Sequence, residues 1–415
     1  MQQRVASLTG LRALAAAAVC ATHAAFWTGN YTPDTAGNAF ARLEVGVPVF
    51  FALSGFLLFR PWVRVLTDGA GRQPSLRHYA WHRFRRVLPA YWIVVIAVYL
   101  VYLVRDDPNP SGHGIGGLVR NLTLTQIYGL GHLRNGLTQT WSMCVEVAFY
   151  LVLPVTAWVL TAVVCRYRYR LGRLLTALAV LAAVTPVWIV LTPDPAFLDF
   201  TARLWPPEFG WWFVAGMALA AVAPRIRRWP AWATPACLAV AAAAFAVACL
   251  PLAGPPTIVP NDTGQAITKS MLYLVFSVTV IAPLAFGSSG WFTRALGTRP
   301  VVWLGDISYE FFLVHLIVLD ILLADVFGWR VFTGHFVIAF LGTAVVSIPL
   351  AWLLRFVTRF GDNGGRTPRR KEANHGGTGG RGRSAARGRS GIGRAGSRGG
   401  SVGSSAHRRT GAPMV

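Results

Sequence analysis

The sequence predicts an all-α protein: a polytopic membrane bundle of about ten transmembrane helices, followed by a disordered basic C-terminal tail. Three observations predict it. Charged residues make up only 13% of the chain and hydrophobic residues 54%, with a mean hydropathy of +0.48, whereas a soluble domain carries roughly 25% charged residues. Segments of about 20 apolar residues recur, the length a helix needs to cross a hydrocarbon core of ~30 Å. Sixteen Trp and eleven Tyr, many near segment ends, suit the aromatic belts of membrane interfaces.

In chain order the expected spans are 5–28, 45–66, 80–104, 140–163, 173–192, 208–223, 231–251, 268–287, 300–323 and 332–356. The first could pass for a signal peptide. Its apolar run from Val5 to Trp27 is too long for an h-region, however, and contains Arg12 and His23. Val19 also stands where a lipoprotein cleavage site before Cys20 would need a small residue, so the segment reads as a retained span. With the N-terminus in the cytoplasm, the inner loops 59–86, 163–173, 224–230 and 288–300 hold sixteen Arg against the single acid Asp68. The outer loops hold nearly all the loop acids, among them Asp34, Glu44, Asp106 and Asp107. The positive-inside rule then predicts a multi-pass protein of the cell membrane with both termini cytoplasmic, and an odd span count would break the alternation. The outer loop from about 105 to 139 is the longest and Gly-rich, which suits a cover over a site as well as a plain connector.

Residues 1–360 thus form one transmembrane domain. The tail, 361–415, is Gly, Ser and Arg with twelve Lys/Arg against Asp362 and Glu372, a composition that cannot build a core. A cationic tail lying on anionic lipid is favoured over RNA contact. Much of the remaining net charge of +23 lies in short loops, as a topology signal does, so nucleic acid is not an expected partner. Cys20, Cys144, Cys165, Cys237 and Cys249 show neither disulfide nor metal spacing and read as small buried hydrophobes; no metal site is expected.

Ionisable groups inside spans cost several kcal/mol unless they face a polar interior, which makes each a candidate for function. Arg12 and His23 are eleven residues apart, three turns plus about 20° and ~16 Å along the axis, so they share nearly one helix face. Singly, Arg12 reads equally as a snorkelling anchor and His23 as a packing residue. As a pair they make a lane with a cation at its inner end and a base further out, suited to a long anionic donor entering from the cytosol. Arg83 and Arg86 share a face at i, i+3 at the inner mouth of the third span, and paired guanidiniums suit phosphate recognition; Arg85 reads as a positive-inside flank. Ser142, Glu146 and Tyr150, just after Trp141, follow i, i+4, i+8 and form a polar stripe. Glu146, at a depth similar to His23, is placed to orient the imidazole and stabilise its cation, with a structural Glu–Arg pair as the competing reading. Ser308, Tyr309, Glu310 and His315 open the ninth span on the same polar interior, where His315 reads as a helix-packing histidine more readily than as a second base.

These residues together resemble the acyltransferase-3 family of membrane acyltransferases over residues 5 to about 355. The carriers begin with Leu8-Thr9-Gly10-Leu11-Arg12-Ala13 plus His23, and the run Gly46-Val47-Pro48-Val49-Phe50-Phe51-Ala52-Leu53-Ser54-Gly55-Phe56-Leu57. They continue with Arg83-Phe84-Arg85-Arg86-Val87-Leu88-Pro89, Trp141-Ser142 with Glu146 and Phe149-Tyr150, and Ile307-Ser308-Tyr309 with Leu313 and His315. Each is weak alone; five in order with a compatible topology are specific. The resemblance implies ten core spans and acyl-CoA as donor co-substrate, with no permanently bound cofactor. It implies transfer of an acyl group, expected to be acetyl, to a hydroxyl of an envelope sugar, glycolipid, peptidoglycan, macrolide or related acceptor. The family's Arg/His pair falls on Arg12 and His23, and its RxxR motif on Arg83 and Arg86. Pro48 stands where an acidic or polar residue is common and Asp306 where a basic one is, departures that bear on acceptor preference. Many relatives carry an extracytoplasmic hydrolase-like domain after the tenth span. This chain carries its basic tail there and is expected to work alone or with a separate partner.

The expected site is then His23 as base, or as nucleophile in an acyl-histidine relay, with Glu146 holding it. Arg12, Arg83 and Arg86 bind the donor, and Trp141, Ser142, Tyr150, Ser54, Tyr309 and His315 line the substrate side. A proton-coupled secondary transporter is the rival from another class. Neither an inverted repeat nor the paired broken helices of that class is evident in the sequence.

Overall fold

A backbone amide in hydrocarbon has no water partner, so a membrane chain closes its hydrogen bonds within helices. The structure, a computed structural model, describes residues 2–68, 73–105, 107, 109, 111–129, 131–192, 200–256 and 262–359, and every regular element among them is helical. The tail expected at 361–415 lies outside the described residues. The helices are α1 (Gln2–Trp27), α2 (Thr35–Arg42), α3 (Gly46–Thr67), α4 (Leu76–Val104), α5 (Gly114–Leu122), α6 (Trp141–Trp158), α7 (Leu171–Ala182) and α8 (Val184–Leu191). There follow α9 (Pro206–Val222), α10 (Ala233–Ala248), α11 (Thr263–Phe286), α12 (Trp291–Leu296), α13 (Arg299–Asp306), α14 (Ser308–Ile321) and α15 (Phe336–Arg359).

Local chemistry sets the helix ends. The side chains of Asp34 and Asp262 accept the backbone N–H of Gly37 (2.7 Å) and Gln265 (2.8 Å), capping α2 and α11. Pro206 and Pro207 open α9 and Pro300 lies in the first turn of α13, where the missing N–H costs nothing. Gly287 ends α11 in the left-handed region at φ 88°.

Each of the ten expected spans coincides with helix, and seven are long and apolar enough to cross a membrane. The others differ for stated reasons. The expected span 231–251 is the 16-residue α10, a rise of ~24 Å against a core of ~30 Å, and 208–223 is the 17-residue α9. The span 300–323 is a pair, α13 and the helix from Ser308 to Val326, bent by 67° at Ile307, where Ser308 Oγ donates back to the Gly305 carbonyl at 2.8 Å.

Helix packing without a hydrophobic drive between helices relies on close approach of small residues. α3 lies against α9, where a Cβ on Gly216 would stand 1.9 Å from the Ala52 carbonyl oxygen and one on Gly55 2.0 Å from that of Phe213. Phe51 stacks on Phe213 beside this contact, ring centroids 4.4 Å apart. α1 is set equally close to the bend, with Gly305 under the Thr9 carbonyl and Gly10 under that of Leu296. The outward faces of α4, α6, α7 and α15 leave Leu103, Leu151, Val180 and Val345 exposed, an apolar belt far larger than a soluble surface tolerates. The protein is a multi-pass membrane bundle.

Gly216→Leu should therefore wedge α3 from α9 and cost at least ~1–3 kcal/mol, seen as a fall in the unfolding temperature of the detergent-solubilised protein. Gly172→Ala, where a Cβ meets nothing within 4 Å, should show no such fall.

Candidate functional site

A smaller and a larger cavity open within the bundle. The smaller, of about 80 Å³, is lined by Arg12 of α1, Ser54 of α3, Arg83 and Arg86 of α4, Ser142, Glu146 and Tyr150 of α6, and Tyr309 of α14. The i, i+3 spacing does what the sequence predicts: Arg83 and Arg86 are half-buried on the cavity side, while Phe84 and Arg85 between them are exposed. Arg83 lies over the Tyr150 ring at 5.8 Å and its buried Nε has no partner among the described residues. Arg12 lies over Phe50 at 5.9 Å, with Arg86, Glu146 and Glu310 as the charged groups around it. Glu146 accepts hydrogen bonds from Ser54 Oγ at 2.6 Å and from the Tyr150 hydroxyl. Tyr309 donates its hydroxyl to the Val87 carbonyl (2.9 Å), and Ser142 donates to that of Gln139 (3.2 Å).

The larger cavity, about 600 Å³, contains His23 and Trp141 and is walled by both charged and aromatic side chains. Glu44 accepts from Lys269 Nζ (3.0 Å) and the Tyr273 hydroxyl (2.9 Å) on this wall. Glu208 Oε2, Arg203 Nη1, Gln126 Oε1 and Gln139 Oε1 line it without a hydrogen-bond partner among the described residues. Buried polar atoms are nearly always satisfied, so this wall is built to meet a polar ligand or water.

Arg12 and His23 therefore share a helix, as the periodicity predicts, but open into different cavities. Glu146 does not hold His23: its carboxylate is in the smaller cavity, engaged by Ser54 and Tyr150. The partner of His23 is His315, with His23 Nδ1 2.8 Å from His315 Nε2 and the rings stacked, centroids 5.1 Å apart. His315 Nδ1 is in turn 2.8 Å from the Phe312 carbonyl oxygen. The tautomers follow from these partners. A carbonyl oxygen only accepts, so His315 Nδ1 carries a proton and the neutral ring presents its Nε2 lone pair to His23. His23 then donates from Nδ1 and keeps a lone pair on Nε2. His315 corrects a second expectation: it is 1% exposed with both ring nitrogens engaged, so it positions His23 and does not line the substrate side.

The 105–139 segment is a cover and not a loose connector. Asn109, Gln126, His132, Asn135 and Gln139 lie on the larger cavity. The segment folds around the Asp107 carboxylate, which takes Arg134 Nη1 (2.5 Å), Asn135 Nδ2 (2.8 Å), the Asn109 N–H (3.0 Å) and His113 Nε2 (3.3 Å). Arg134 is sandwiched on the rings of Tyr102 and Tyr99 at 4.7 and 5.5 Å. Desolvation pushes the pKa of the neighbouring His132 downward. Sequence reasoning missed Glu44, Lys269, Arg203 and Glu208 as site residues. The available signal was their place at span ends, which looks identical to an ordinary interfacial charge.

Comparison with known proteins agrees with the geometry. A family model described as an acyltransferase domain matches residues 5–355. Acyltransferase MdmB of Streptomyces mycarofaciens is 28% identical over 349 residues, 76% of this chain and 79% of that protein. Peptidoglycan O-acetyltransferase OatA of Listeria monocytogenes is 31% identical over 164 residues, 36% of this chain and 24% of that protein. The putative peptidoglycan O-acetyltransferase YrhL of Bacillus subtilis is 25% identical over 333 residues, 75% of this chain and 48% of that protein. The chain spans less than half the length of these last two. No solved structure matches the chain.

Asp107→Ala leaves Arg134, whose side chain is 5% exposed, without its carboxylate. Breaking a buried pair costs ~3–5 kcal/mol, so the cover should become a site of rapid proteolysis between residues 105 and 139 while the helices stay protected.

Proposed function

The chain belongs to the acyltransferase-3 family, and on that footing we propose that it is a membrane O-acyltransferase carrying an acyl group, expected to be acetyl, from acyl-CoA to a hydroxyl. The acceptor is a sugar-bearing envelope component or a related small molecule; peptidoglycan is the acceptor named for two relatives. One observation carries the reading: the chain of bonds from the Phe312 carbonyl through His315 to His23, a residue of the larger cavity's lining whose Nε2 keeps its lone pair.

The donor side is the smaller cavity. Arg12, Arg83 and Arg86 make it electropositive, and paired guanidiniums suit phosphate and thioester oxygens. At about 80 Å³ it has room for the thioester end of the donor, with the nucleotide outside its mouth. The arginine-rich loops orient that mouth toward the cytoplasm, with both termini on the same side. Glu146 offsets the guanidinium charge and fixes Ser54 and Tyr150 beside it.

The acceptor hydroxyl enters the larger cavity and gives its proton to His23 Nε2. Its oxygen attacks the thioester carbonyl, and the tetrahedral species expels the CoA thiolate, which takes the proton back from His23. The imidazolium formed midway is stabilised because His23 Nδ1 donates to the neutral His315. General base catalysis of this kind is worth ~10²–10⁴-fold. In an acyl-histidine relay the same lone pair attacks the thioester first, and acyl-labelled His23 in acceptor-free membranes would identify that route. The transporter alternative draws no support from the relatives, each of which is named for acyl or acetyl transfer.

Membranes supplied with labelled acetyl-CoA should label a hydroxyl-bearing envelope component. His23→Ala should abolish the transfer, and full activity in that variant would sink the assignment. His315→Ala should lower the rate by ~10²–10⁴-fold, as loss of a tautomer-fixing partner does, with little change in the KM for acetyl-CoA. Arg83→Ala and Arg86→Ala should do the reverse, raising that KM with a smaller effect on kcat.

A further inference from the structure

The linings of the two cavities have only two residues in common, Val47 and Phe312. Arg12, Arg83 and Arg86 line the smaller cavity and His23 the larger, which also carries Arg203. Val47 sits in the first turn of α3 and Phe312 on α14, where its side chain is 7% exposed. The Phe312 backbone is held by its own function: its carbonyl accepts from His315 Nδ1 (2.8 Å) and from Gln139 Nε2 (3.4 Å). The ring stands beside the positioning histidine, its centroid 5.8 Å from that of His315.

A thioester next to a roomy polar cavity faces a competing nucleophile, because water is small and present in excess. Its oxygen can add to the carbonyl carbon and the C–S bond breaks; the thiolate takes the proton that water loses, giving the free acid and CoA. The two apolar side chains common to both linings oppose this, since hydrophobic constrictions exclude water by dewetting. We infer that Val47 and Phe312 form a hydrophobic gate that passes the acyl carbonyl from the arginine cavity to the His23 cavity and keeps water from it. The gate rests on the acyl-transfer reading above. It makes these two residues determinants of the balance between transfer and hydrolysis.

The test uses the full chain in membrane vesicles with acetyl-CoA. Two rates are measured: CoA thiol released without acceptor, and label transferred when acceptor membranes are present. Val47→Ala and Phe312→Leu should raise the ratio of hydrolysis to transfer several-fold. Val47→Thr, nearly the same size but carrying a hydroxyl, should raise it too by wetting the gate, and it controls for loss of packing. Val47→Phe should suppress both rates while acetyl-CoA binding is retained. A wild-type ratio in Val47→Ala, Val47→Thr and Phe312→Leu, with transfer present, overturns the gate and leaves the enzyme assignment standing. Absence of both rates in the wild-type protein with any acyl-CoA overturns the assignment itself, and the gate with it.

Discussion

A polar group inside hydrocarbon has no water to fall back on, and the arrangement of this bundle follows from that cost. Many of its buried polar side chains are tied to another group or line a cavity. His23 leans on His315, and His315 on a backbone carbonyl. Glu146 is shared by Ser54 and Tyr150, and Glu44 by Lys269 and Tyr273. Arg42, fully buried, spends its guanidinium on the carbonyls of Ala248, Ala253 and Gly254, pinning the end of α10 against α2. The same rule separates structure from chemistry. Arg42 has its donors satisfied by backbone, whereas Arg83 Nε, Arg203 Nη1 and Glu208 Oε2 are left open beside cavities.

Two helices carry most of the chemistry because each runs past both cavities. α1 presents Arg12 to one and His23 to the other. α14 presents Tyr309 to the smaller cavity, Phe312 to both and His315 to His23. The bend at Ile307 gives α14 this path, and the close approach of Gly10 and Gly305 clamps α1 beside the bend. His23 and His315 therefore sit on helices set by close contacts at Gly10 and Gly305, which suits the base proposed for His23, whose lone pair must meet a hydroxyl within hydrogen-bond reach.

The cover over the larger cavity works differently. It is loop and short helix, ordered both by the Asp107 carboxylate, which takes four hydrogen bonds, and by Leu124, Ile127 and Leu137 packed into the core. Loops carried on a rigid scaffold in this way are where binding residues are most often found.

The sequence by itself determined the membrane bundle, the presence of helix at each expected span and the facing of Arg83 and Arg86, because hydropathy and helical period are local properties of a chain. It also determined that Arg12, His23 and Glu146 lie at helix faces that burial makes costly. Which of them meet was decided only by tertiary structure. His23 and His315 are 292 residues apart, and no periodicity relates two helices that pack through glycine contacts and a bend. Glu146 was paired with the wrong partner on depth alone, since depth fixes one coordinate of a side chain and leaves its azimuth free. The division of one expected lane into two cavities by Val47 and Phe312 was likewise invisible, because two apolar residues among so many carry no mark of their position until the helices are packed.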